Sequence, residues 1–154
     1  MRKKTLVQFI LLGILTYSCS SDASLNKSNS ETKALSTKTI NNPMQDKGIG
    51  PITSVKINTE INKDLAIHGK TLFETNCIAC HKLDKRFIGP AITGITKRRS
   101  PEWIMNMVLN PEQMVKENQL AKQLLMEYMS PMANQNLTEN EARAVLEYFI
   151  EIDN

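Results

Sequence analysis

Side chains that can hold a metal or form a crosslink are scarce in this chain. Its 154 residues include three cysteines and two histidines. Cys77 and Cys80 stand two residues apart, and His81 follows them. The other two, Cys19 and His68, are not placed to form a second ligand pair, which excludes a zinc site built from two such pairs. No alternation of apolar and polar residues flanks the cysteines, so the strand–helix–strand setting of a thioredoxin-like dithiol is missing. With both clustered cysteines in one motif, no structural disulfide is expected in the domain. Net charge is also lacking. Arg2, Lys3 and Lys4 account for the whole formal charge of +3, and beyond residue 18 basic and acidic residues balance. Such a chain has no sustained basic surface for nucleic acid. From residue 62 it has no internal repeat and no strand alternation.

What the chain does have is Cys77-Ile78-Ala79-Cys80-His81. This C-x-x-C-H run is the signature for covalent attachment of one c-type haem. Each thiol can add to one vinyl group, giving two thioethers. The imidazole of His81 follows at once, and a proximal histidine is an ordinary ligand for haem iron. The rest of the chain then delivers, buries or tunes that haem. No second copy of the motif occurs.

Residues 1–18 have the layout of an export signal: a basic start, an apolar run from Leu6 to Leu15, then small residues. The run is too short for a comfortable transmembrane helix. Thr16-Tyr17-Ser18-Cys19 resembles a bacterial lipobox, in which Cys19 is lipidated and becomes the new N-terminus. Residues 20–47 are rich in Ser, Asn, Thr and Lys and cannot bury enough surface to offset their chain entropy. They are expected to form a flexible tether, reaching about 100 Å at about 3.3 Å per residue. Residues 48–61, with Val55 and Ile57 alternating, suggest an extended piece that either packs on the domain or continues the tether. The expected layout is a signal at 1–18, a lipidated N-terminus and tether at 19–61, and a domain at 62–154.

From residue 62 the pattern is helical throughout. Asn62 or Asp64 can cap a helix to about Asn76, with Leu65, Leu72 and Phe73 among its apolar positions. Ser100-Pro101-Glu102 starts a second helix carrying Trp103, Ile104, Met107 and Val108 to Leu109. Asn110-Pro111-Glu112 starts a third in the same way, predicted to run to Tyr128. Thr138 and Glu141 form a capping box for a last helix, whose face is Ala142, Val145, Leu146, Phe149 and Ile150. The fold class is all-α.

From residue 62 the chain resembles the class I monohaem cytochromes c. The markers are C-x-x-C-H, the following Gly89-Pro90, the Arg98-Arg99-Ser100-Pro101-Glu102-Trp103 helix start, a methionine loop and the capped C-terminal helix. The resemblance implies a cytochrome c fold, with helices packed around one covalent haem c. It implies that Gly69 and Phe73 cross the C-terminal helix, and that the Pro90 carbonyl accepts a hydrogen bond from His81 and fixes its tautomer. It also implies an axial methionine in the loop before the last helix. Met132, in Ser130-Pro131-Met132-Ala133, is the expected sixth ligand, with Met129 the main competitor. Met105, Met107, Met114 and Met126 lie in helices and are expected to be fillers, and His68 is the weaker bis-histidine option. Related cytochromes use basic and indole groups on the haem propionates, a role that here would fall to Arg98 and Trp103.

These features point to a one-electron carrier, not an enzyme, working outside the cytoplasm in a respiratory chain. By resemblance its partners are redox proteins: a quinol-oxidising complex upstream, and a terminal reductase or haem-copper oxidase downstream. A lipid on Cys19 would hold it at the membrane. Lys82, Lys85, Arg86, Lys97, Arg98 and Arg99 are expected to form a basic rim that steers an acidic partner. Glu139, Glu141, Glu147, Glu151 and Asp153 make the C-terminal end acidic. The competing reading is a haem enzyme with an open sixth position, of peroxidase or oxidase type.

Overall fold

The computed structural model describes residues 42–154. The signal, Cys19 and the first part of the tether lie outside them. Among the described residues there are α-helices and one short 3₁₀ turn, and no strand. Helix α1 spans Lys63–Asn76, α2 Pro101–Leu109, α3 Pro111–Glu117, α4 Gln119–Tyr128 and α5 Glu139–Asp153, with the 3₁₀ turn at Ile95–Lys97. No helix among the described residues is long and apolar enough to cross a membrane.

The helices start where local chemistry satisfies their first amides. The Asn62 side chain accepts from the Leu65 amide, and Ser100 accepts from that of Trp103. Thr138 and Glu141 form the reciprocal capping box. The helix predicted over 111–128 is instead two. Asn118 is extended (φ −90°, ψ 128°), and its side chain caps α4 through the Ala121 amide. Asn110 precedes α3 but makes no side-chain cap.

The most extensive helix contact is between α1 and α5. Gly69 is buried against the backbone of α5, where a Cβ would overlap the Ala144 carbonyl and stand 2.9 Å from the Val145 amide. One turn on, Phe73 meets Phe149 edge-on and Tyr148 at a tilt, both with ring centroids 5.8 Å apart. This crossing, with Trp103, Ile104 and Val108 of α2, forms the core beside the cysteine motif. Asp153 at the end of α5 is buried and accepts from the Gly94 amide and from the amide and hydroxyl of Thr96. That ties the end of the chain to the loop after Pro90.

Of the two placements open for residues 48–61, the part up to Val55 packs on the domain, starting earlier at Asp46, while residues 56–60 are exposed. Ile52 is buried, and Asp46 to Val55 run as a strap along α2 and α3. The part of the expected tether from Asp46 to Val55 therefore belongs to the folded body.

Candidate haem site

The end of α1 delivers Cys77 and Cys80 into a tight turn. The Cys77 amide closes the helix on the Phe73 carbonyl, and the Cys80 and His81 amides both bond the Cys77 carbonyl. Cys80 is exposed and Cys77 half-buried, and neither is disulfide-bonded. Burial, helped by the neighbouring Cys80, pushes the Cys77 thiol up to about 11. At neutral pH it is an uncharged thiol in an apolar wall.

His81 Nδ1 lies 3.0 Å from the Pro90 carbonyl oxygen. A carbonyl can only accept, so Nδ1 carries the proton and the lone pair sits on Nε2. Gly89 makes the close approach possible: a Cβ there would stand 2.5 Å from His81 Cε1. The Gly89 amide also bonds the Cys80 carbonyl, closing the loop onto the motif.

These groups line one cleft. Its walls include Phe73, Ile104, Val108, Leu124, Val145 and Phe149, with Cys77, Cys80, His81 and Pro90 on one side and Met132 in the loop before α5. Met132 is half-buried and packs on the core. Met129 is 84% exposed and is not in the lining, and His68 is exposed on α1. Met107, expected as filler in α2, also lines the cleft.

Trp103, Arg98 and Arg99 all contribute to the polar edge of the cleft. Trp103 lines the cleft, but its indole N–H donates to Asn118 Oδ1 at 3.1 Å. It therefore meets the cleft with its ring. Arg98 also lines the cleft; it is exposed, and its fork holds the Thr93 and Ala91 carbonyls, bracing the loop after Pro90. A second cation, Arg99, was not singled out for this role from the sequence. It lines the cleft, stands 5.2 Å from the Trp103 ring centroid, and its buried Nε has no hydrogen-bond partner among the described residues. Nothing in the sequence separates two adjacent arginines, and the structure brings both to the cleft.

Haem is flat and apolar, with two carboxylates on one edge. An apolar cleft with two thiols, an oriented imidazole and a guanidinium awaiting an anion fits that group. Among the described residues no group of three or more His, Cys, Asp and Glu could hold a bare metal ion. The arrangement defines a helical haem c protein. The model of the cytochrome c family matches residues 66–151, and the chain belongs to that family. A cytochrome c from Rhodothermus marinus is 46% identical, with a TM-score of 0.66, over 68% of this chain and 90% of that one. An engineered cytochrome c from the same organism, bound to a carbene intermediate, is also 46% identical, with a TM-score of 0.64 and the same coverage. None of the curated proteins matches the chain.

Proposed function

We propose that the chain is a one-electron carrier outside the cytoplasm, with His81 and Met132 as the axial ligands of its haem. The observation that carries this is the shared cleft. It brings Met132 to the same space as His81, while Met129 points to solvent. Bound haem supplies an iron that alternates between two oxidation states. The chain's own residues do the rest. Cys77 and Cys80 would hold the ring covalently, and Pro90 keeps the His81 proton on Nδ1. The apolar walls exclude water, and Arg99, with its unpartnered Nε, would meet a propionate. Methionine opposite histidine raises the potential.

Ile88 and Cys80, both exposed, line the cleft; Ile78 and Phe87 are exposed large apolar residues near them in the chain, with Lys82 over the Phe87 ring. This face suits a redox protein partner, such as a quinol-oxidising complex, a terminal oxidase or a reductase. A lipid on Cys19 would hold the carrier at the membrane. If the basic residues near the mouth steer the partner, transfer slows steeply with added salt; a flat dependence rejects steering.

The axial pair is tested by spectroscopy of the holoprotein. The wild type is expected to show one c-type haem and, when oxidised, the weak near-infrared band of methionine ligation. Met132→Ala loses that band and Met129→Ala keeps it; the reverse result overturns the assignment. The similar engineered cytochrome c bound to a carbene favours a second reading, an open or easily opened sixth position. A rapid spectral change with carbon monoxide or cyanide supports that reading, and inertness supports the carrier.

A further inference from the structure

The three buried neutral polar side chains of the body are Ser100, Asn106 and Asn118. All three are hydrogen-bonded to the strap ahead of α1, a stretch outside the residues that match the family model. Asn106 accepts from the Ile52 amide and donates to the carbonyls of Lys47 and Ile52. The Ser100 hydroxyl donates to the Asp46 carbonyl. Asn118 Nδ2 lies 3.0 and 2.8 Å from the two carboxylate oxygens of Asp46.

The last contact reaches the cleft. An ionised carboxylate only accepts, so it requires the nitrogen of the Asn118 amide on its side. On the other side the Trp103 indole and the Ala121 amide only donate, and both bond Asn118 Oδ1. One amide is thus fixed from both ends, with Asp46 behind it and the indole in front. The Trp103 ring then carries Arg99, whose guanidinium carbon stands 5.2 Å from the ring centroid. A buried polar chain of this kind is satisfied only in one arrangement.

We propose that Asp46 is a positioning residue of the haem cleft, acting through Asn118 to hold the Trp103 ring as one wall and as the platform for Arg99. The strap is therefore part of the site, and the chain ahead of it joins the body at the cleft's own wall. The proposal rests on the haem reading of the cleft. Failure of that reading would appear as a wild-type chain with no haem absorbance, a result separate from any behaviour of the indole.

Trp103 is the sole tryptophan, so its indole N–H gives one assignable signal. The test follows hydrogen exchange of that N–H in the reduced, full-length holoprotein, together with the haem midpoint potential. In Asp46→Ala the exchange is expected to speed up about tenfold or more, the size of one lost hydrogen bond, and the potential to move. Asp46→Asn keeps an acceptor oxygen and is expected to retain the protection. A strap that merely adds stability would lower the melting temperature in Asp46→Ala and speed exchange no further than the loss of global stability does, leaving the midpoint potential at its wild-type value, and that result overturns the proposal. If Asp46→Ala does not fold, Asp46→Glu decides. It keeps the charge but displaces the carboxylate by one methylene, and an unmoved indole resonance overturns the proposal equally.

Discussion

Replacing Gly69 with alanine should pull the two longest helices apart. The added methyl carbon would overlap the Ala144 carbonyl and stand 2.9 Å from the Val145 amide nitrogen. These are backbone atoms of α5, so no side-chain rotation relieves the clash. Overpacking typically costs about 1–3 kcal/mol, and a collision with backbone belongs at the upper end. Alanine is intrinsically a better helix former than glycine by about 1 kcal/mol. The two effects oppose, and the clash wins, leaving a loss of about 2 kcal/mol. For a domain of about 100 residues this lowers the melting temperature by about 8–16 °C. The assay is thermal unfolding of the holoprotein followed by helix dichroism and haem absorbance together. Lys70→Ala, on the exposed face one residue away, is the control and should change stability by less than about 0.5 kcal/mol. The haem signal should move with the helix signal, because Phe73 lies one turn from Gly69 and also lines the cleft. A Gly69→Ala protein as stable as wild type would refute the reasoning, since it would mean that α1 and α5 do not cross at this point.

Gly89→Ala should displace the His81 ring, whose Cε1 lies 2.5 Å from the added carbon; the expected result is a lower yield of low-spin haem, read from the absorption spectrum. Asp153→Asn should cost about 2 kcal/mol, the scale of hydrogen bonds to a charged group, measured by denaturant unfolding. Burial works to raise the Asp153 carboxyl, but hydrogen bonds from Thr96 and Gly94 hold it below the usual range. Its stabilising effect is therefore complete above the ordinary aspartate range and fades as pH falls through its lowered folded value. The gap between wild type and Asp153→Asn should close in strong acid; a gap that persists there refutes the linkage. The apo domain, deprived of the cofactor that fills its cleft, should lack a cooperative thermal transition, and a sharp transition without haem would contradict that.

The legible parts of the fold were those decided within a few residues. Asn62, Ser100 and the Thr138–Glu141 box cap their helices through partners three positions on, and sequence spacing shows such pairs. The cysteine motif was legible for the same reason. The break at Asn118 was not, because its side chain is held by Asp46 and Trp103, distant in the chain. The strap was hidden likewise: its polar residues look like tether until Asn106 and Ser100 are brought to them. The acidic C-terminal end was legible as a cluster of charge but not in its partners. Glu147 is 2% exposed, pairs with Arg143 and accepts from the Asn62 amide, and Asp153 is committed to Thr96 and Gly94. Charge counts along a sequence cannot distinguish a carboxylate in water from one that joins two elements.

The central claim is that Cys77 and Cys80 bind the porphyrin covalently while His81 meets its iron. Extraction of the purified holoprotein with acidified acetone tests it most directly. The red colour is predicted to stay with the precipitated polypeptide; a colourless polypeptide and a coloured supernatant would mean that no thioether was ever formed.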